Sequence, residues 1–118
     1  SDIRLQAKLH VQDYAGSKVA VSQADDMKFS GPASLGKGDF LTIPAKGNVN
    51  GVRFMLSSGS DAEIYVQMTN GGGQFLTVSG TRHCVSGQNE ISFPSTDASE
   101  LRIVIEKGKA VVENIEVY

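Results

Sequence analysis

The chain has 118 residues, 40% of them hydrophobic and 20% charged, with a formal net charge of −2, which is enough for one ordinary globular domain and excludes a disordered chain. The acidic balance excludes a general nucleic-acid binder, which needs a basic surface to meet phosphates, and no apolar run approaches the roughly 20 residues of a membrane-spanning helix. Cys84 is the single cysteine, so an internal disulfide and a thiolate zinc cage are excluded as well. No signal peptide is recognisable, and Ser1 reads as a processing boundary.

Along the chain the dominant period is two, the period of half-buried strands. Residues 5–12 alternate strictly, with Leu5, Ala7, Leu9 and Val11 on one face and Gln6, Lys8, His10 and Gln12 on the other. Short strands are predicted over residues 18–22 and 40–43. Val52, Phe54 and Leu56 then alternate with Arg53 and Met55, and Ile64, Val66 and Met68 with Glu63, Tyr65 and Gln67. Further short strands are predicted over 74–78 and 90–93. Leu101, Ile103 and Ile105 alternate with Arg102, Val104 and Glu106. Over 111–118 the same period puts Glu113, Ile115 and Val117 on one face and Val112, Asn114, Glu116 and Tyr118 on the other.

Glycine-, serine- and asparagine-rich stretches punctuate these runs, among them Gly36-Lys37-Gly38-Asp39, Lys46-Gly47-Asn48, Ser57-Ser58-Gly59-Ser60-Asp61, Asn70-Gly71-Gly72-Gly73, Ser86-Gly87-Gln88-Asn89 and Lys107-Gly108-Lys109. Each reads as a turn. The only helical candidate is one turn at Asp97-Ala98-Ser99-Glu100. Evenly spaced short strands with no linker or repeat predict a single all-β domain over residues 1–118, a two-sheet antiparallel β-sandwich. Its core is expected to hold Leu9, Val52, Phe54, Ile64, Val66, Leu101, Ile103, Ile115 and Val117.

Catalytic chemistry is not legible. His83 and Cys84 are neighbours, and adjacent residues of a strand point to opposite faces, so they do not form a nucleophile–base pair. Cys84 reads as a small buried apolar residue. Gly71-Gly72-Gly73 is followed neither by a helix nor by Lys-Ser/Thr, so it is not a phosphate loop. Asp25-Asp26 are the nearest thing to paired carboxylates, but a cleft is hard to build on so small a sandwich. The chain is therefore expected not to be an enzyme. The face bearing Arg53, Met55, Glu63, Tyr65 and Gln67 is either a solvated sheet face or a shallow binding platform.

Four stretches, in order, resemble the family 6 carbohydrate-binding modules. Leu9-His10-Val11-Gln12-Asp13-Tyr14 is similar to their opening Ile-Glu-Ala-Glu-Asp-Tyr. Leu35-Gly36-Lys37-Gly38-Asp39-Phe40-Leu41-Thr42-Ile43 is similar to their Gly-Gly-Asp-aromatic turn and strand. Residues 51–60 with Ala62-Glu63-Ile64-Tyr65-Val66 resemble a central hairpin. Leu101-Arg102-Ile103-Val104-Ile105 with Glu113-Asn114-Ile115-Glu116-Val117 resembles a closing hairpin. The resemblance implies a jelly-roll sandwich that holds a secreted polysaccharide-degrading enzyme or a surface protein on a polysaccharide or oligosaccharide. Its parent enzyme domains would lie in cis, its localisation would be extracellular, and no nucleic acid or membrane would be involved. The alternative is a structural or protein–protein interaction module of the same fold.

Where those modules stack a sugar on tryptophan this chain, which has none, reads Gly80-Thr81-Arg82-His83. The resemblance thus implies a loop-end site of Phe29, Arg82 and His83. The residues themselves offer a sheet-face site of Arg53, Tyr65 and Gln67, in which tyrosine supplies a flat apolar ring. The same modules often hold structural calcium, at positions that here read His10, Gln12 and Glu113. Calcium prefers several carboxylate oxygens, so no cofactor is expected and calcium remains only a possibility.

Overall fold

The computed structural model describes residues 2–4, 10–14, 17–21 and 28–118, with side chains from Phe29 onward. Seven strands follow in chain order: β1 (Asp2–Arg4), β2 (His10–Tyr14), β3 (Ser17–Val21), β4 (Lys28–Gly36), β5 (Phe40–Thr69), β6 (Leu76–Thr77) and β7 (Arg82–Val117). There is no helix among the described residues. Two of the strands, β5 with 30 residues and β7 with 36, are far longer than the alternation suggests.

Their register shows why. Residues 100–104 of β7 pair on one side with 40–44 and on the other with 65–69, and β1 and β6 add to the two edges. This is the first sheet. Residues 51–56 pair with 87–92 on one side and with 112–117 on the other, and β4 adds beyond 112–117. This is the second sheet. Segments of β5 and β7 thus serve both layers, and they stay paired while they cross: 47–49 with 96–98 at one end, and 61–64 with 82–85 and 105–109 at the other. Sheets joined by strands that bend from one layer into the other form a closed sandwich. One pairing departs from the antiparallel expectation, since β1 runs parallel to β5. β2 and β3 form a separate two-stranded antiparallel ladder.

The inward faces are those that alternation marks. Leu41, Ile43, Ile64, Val66, Leu101 and Ile103 of the first sheet meet Phe29, Val52, Phe54, Leu56, Ile91, Ile115 and Val117 of the second, all of them buried. Burying each large side chain stabilises the fold by about 1.5–3 kcal/mol. All of the expected core residues lie in this cluster except Leu9, which is outside the described residues.

Several local expectations are corrected. The two hairpins expected from 51–66 and 101–117 are not hairpins, because each carries the chain from one sheet to the other. Lys107-Gly108-Lys109 is a corner of this kind. Gly108 has φ +82°, and a Cβ there would lie 2.1 Å from the Asp61 carbonyl oxygen. Asp97-Ala98-Ser99-Glu100 is strand, with Ala98 opposite Gly47 and Glu100 opposite Pro44. In the last strand Met55 faces Asn114 while Leu56 faces Val112, so Glu113 is a bulged extra residue. The bulge shifts the phase, placing Val112 inside with Ile115 and Val117 and leaving Glu113 and Asn114 both exposed.

Candidate functional site

The register builds one surface in particular. On the outer face of the first sheet, Phe40, Val104 and Tyr65 form one cross-strand row, and Thr42, Arg102 and Gln67 form the next. Strands lie about 4.8 Å apart, so Phe40 and Tyr65 stand roughly 10 Å from each other across Val104. Val104 is 8% exposed and forms an apolar floor. The turn bearing Lys37 closes one end beside Glu106, and Arg102 and Gln67 close the other, around a shallow groove of about 390 Å³.

Each wall is held in place. Gly36 N–H donates to the Asp39 carboxylate at 2.8 Å, and the turn is tied to the sheet by Gly38 N–H to Ile105 C=O at 2.8 Å and Ile105 N–H to Asp39 C=O at 3.0 Å. Arg102 is held from several sides. Its guanidinium carbon lies 4.1 Å from the centre of the Phe40 ring and 4.0 Å from that of Phe75, and its Nε donates to Gln67 Oε1 at 2.8 Å. The Gln67 amide in turn donates to Thr77 Oγ1 at 3.1 Å. Phe75 reaches Arg102 because the chain reverses through Gly71, Gly72 and Gly73, all at positive φ, before β6 returns along residues 67–68.

Of the expected sheet-face residues, Tyr65 and Gln67 therefore come together and Arg53 does not join them. Arg53 belongs to 51–56 and points out from the second sheet, on the opposite side of the sandwich. There its guanidinium stacks 3.9 Å from the centre of the Tyr118 ring and pairs with Glu90 at 3.6 Å and Glu116 at 4.0 Å. The Tyr118 hydroxyl donates to Glu90, which holds the phenol above its ordinary pKa.

The loop-end set is also divided. Phe29 is 1% exposed and packs in the core opposite Ile115, which removes its ring from any ligand. Arg82 and His83 are exposed at the corner opposite Ile64 and Glu63. His83 Nε2 lies 2.8 Å from Asp61 Oδ1, and this hydrogen bond, with the charge of the same carboxylate, raises the imidazole pKa.

For the metal set, the side chains of His10 and Gln12 lie outside the described residues. Glu113 is exposed on its bulge and accepts a hydrogen bond from the Ser57 hydroxyl. Among the described residues no group of three His, Cys, Asp or Glu side chains converges as a metal site would require. Asp25 and Asp26 also lie outside the described residues. Cys84 is buried, and burial pushes its thiol up to about 11, so it is protonated at neutral pH and is no nucleophile.

No family model matches the chain, and no curated protein is similar to it in sequence. Solved structures match closely in shape. A chitosan-binding module from the chitosanase/glucanase of Paenibacillus sp. IK-5 aligns with 97% of this chain and 96% of its own at a TM-score of 0.65 and 19% identity. The chain folds like a carbohydrate-binding module. The CBM32 of AlyQ, solved in complex with 4,5-unsaturated mannuronic acid, aligns over 99% of this chain and 98% of its own, with a TM-score of 0.62 and 12% identity. A pectin-binding carbohydrate-binding module aligns over 80% and 78%, with a TM-score of 0.61 and 5% identity.

Reading the residues in sequence misses Arg102, Phe40, Phe75 and Lys37 as members of the groove. Three of them carry a faint signal: Arg102 is the one cation on the polar side of the 101–106 run, and Phe40 and Phe75 each directly follow a glycine-rich turn segment and its next polar residue. What joins them is the pairing of 100–104 with both 40–44 and 65–69, which no local pattern encodes.

Proposed function

We propose that this chain is a non-catalytic carbohydrate-binding module that attaches a secreted polysaccharide-acting enzyme or a surface protein to a glycan, and that the groove between Phe40 and Tyr65 is its sugar site. One observation carries the reading: two aromatic rings flank an apolar floor one strand wide, with hydrogen-bonding side chains at both ends. A pyranose has apolar C–H faces and a rim of hydroxyls, and such a slot matches both. The fold supports the reading, since proteins of like shape include a chitosan-binding module, a pectin-binding module and a CBM32 solved with 4,5-unsaturated mannuronic acid. Affinity is expected to be weak, because a shallow site exchanges water hydrogen bonds for protein ones. The absence of tryptophan favours the second reading, a protein–protein interaction module.

A glycan array followed by titration calorimetry tests this. Tyr65→Ala should abolish binding to the glycan found while leaving the melting temperature close to that of the wild type, and His83→Ala should bind normally. Binding that survives Tyr65→Ala and is lost in His83→Ala moves the site to the corner. A wild type that binds no glycan leaves the interaction module as the better reading.

A further inference from the structure

Of the asparagines in this chain, only Asn50 and Asn70 are followed by glycine. That pair of residues carries a reaction of its own. The glycine nitrogen gives up its proton to solvent base and attacks the asparagine Cγ. The new N–Cγ bond closes a five-membered succinimide ring, and the Cγ–Nδ2 bond breaks as the leaving amide takes a proton from water and departs as ammonia. Water then opens the ring at one carbonyl or the other, giving aspartate or isoaspartate. Ring closure needs a nitrogen that no side chain shields, a backbone free to leave strand geometry, and an N–H not engaged in a hydrogen bond.

The fold treats the two sites differently. Asn50 lies inside β5. Gly51 beside it is buried and paired with Ser92; its N–H donates to Tyr118 C=O at 3.3 Å, and its C=O accepts from Tyr118 N–H at 3.0 Å. The ring closes there only after the sheet opens locally. Asn70 lies just past the end of β5, and residues 70–74 are all exposed. Gly71, Gly72 and Gly73 have φ of +101°, +79° and +80°, outside strand geometry. The Gly71 N–H makes no hydrogen bond among the described residues. Two side-chain bonds hold the turn instead. The Thr69 hydroxyl donates to Gly71 C=O at 2.8 Å, and the Asn70 amide donates to the Asp97 carboxylate at 3.2 Å.

We propose that Asn70 is a site of spontaneous deamidation in the folded protein, and that the change loosens the Phe75 wall of the groove. The reaction removes the amide donor that Asp97 accepts from and puts a carboxylate in its place, so two exposed like charges face each other across the turn. The isoaspartate product also adds a carbon to the backbone of the turn. That turn sets the path of the returning chain. Phe75 lies 4.0 Å from the Arg102 guanidinium carbon, Thr77 accepts from the Gln67 amide at 3.1 Å, and Val78 N–H donates to Val66 C=O at 2.9 Å. These contacts are present whatever the groove binds.

The whole chain is incubated at mildly alkaline pH, folded and in urea, and digested at intervals for mass spectrometry. In the folded protein Asn70 should convert at least about ten-fold faster than Asn50, with isoaspartate among the products, and in urea the two rates should converge. Asn70→Gln cannot close a five-membered ring and should stay unmodified at that position over the same time. Asn70→Asp reproduces one product and tests the wall by hydrogen exchange at low salt. Its amides over residues 75–78 should exchange about five-fold faster than those of the wild type, the factor expected of like charges about 4 Å apart in water. Adding Asp97→Asn to that variant should bring the rate back. An Asn70 that stays intact, or an Asn50 that keeps pace with it in the folded protein, overturns the modification site. Unchanged exchange in Asn70→Asp, or faster exchange that Asp97→Asn does not reverse, overturns the loosening of the wall by charge.

Discussion

Phe54 shows how much one residue contributes here. It is fully buried in the middle strand of the second sheet, with Ile115 on one side and Asn89 on the other. Phe54→Ala leaves a space that sheets tied on both sides cannot close, and it should lower stability by about 3–5 kcal/mol. A urea midpoint within error of the wild type would show that the site collapses freely. His83 makes a different residue-scale case, because its partner is a charge. The Asp61 carboxylate at 2.8 Å raises the imidazole pKa. A raised folded-state value means that the pair contributes stability fully below the unfolded pKa of about 6.5, and that this contribution fades as pH rises through the folded value. The effect on stability should be slight, since the pair is exposed and screened by solvent. The titration itself is the sharper readout. By proton NMR, the His83 imidazole should titrate above its ordinary value, and Asp61→Asn should bring it back. An unchanged midpoint in that variant would remove the pair from solution.

Among the elements, the segment 51–56 is constrained most visibly at its first residue. A Cβ on Gly51 would lie 2.6 Å from the Tyr118 hydroxyl and 2.8 Å from the Ile91 carbonyl oxygen. The tyrosine can swing away, but the carbonyl belongs to the paired neighbouring strand and cannot. Gly51→Ala should therefore cost about 1–3 kcal/mol, and combining it with Tyr118→Ala should not restore stability. A double variant as stable as Tyr118→Ala alone would place the whole clash on the side chain. Tyr118 and Gly51 also show which parts of an element the sequence encodes. Facing is local: the alternation of Val52, Phe54 and Leu56, and of Ile64, Val66 and Met68, marks the buried side of each strand without knowledge of its partners. Crossing is not local. Ser57-Ser58-Gly59-Ser60-Asp61 has the composition of a hairpin turn, and only the pairing of Asp61 with both Val85 and Lys109 makes it a corner between sheets. Tyr65 and Gln67 are legible as outward polar positions for the first reason. Their separation from Arg53, and their union with Arg102 and Phe40, are illegible for the second. Glu113 fails in another way, since one bulged residue reverses the phase of everything before it.

At the scale of the molecule the same two ribbons decide how the protein comes apart. β5 contributes 40–44 and 64–69 to the first sheet and 51–56 to the second, while β7 contributes 100–105 to the first and 87–92 and 112–117 to the second. Neither sheet can be removed without withdrawing segments from the other, and both inner faces belong to one hydrophobic cluster. With a radius of gyration of 12.6 Å the described fold is as compact as a single domain of this length should be. Residues 28–118 should therefore unfold as one cooperative unit. The two layers offer separate probes. Tyr65 lies on the outer face of the first sheet and Tyr118 packs over Gly51 on that of the second. Variants Tyr65→Phe and Tyr118→Phe each leave one of these two phenols for fluorescence to follow, against the constant background of Tyr14, and far-ultraviolet circular dichroism follows the strands as a whole. All three denaturation curves should share one midpoint once each is compared with its own variant's circular dichroism. If the Tyr118 signal were lost at a lower urea concentration than the Tyr65 signal, the second sheet would be opening alone. The corners at 56–61, 85–87 and 109–112 would then be hinges between two units instead of the paired turns that bind them into one.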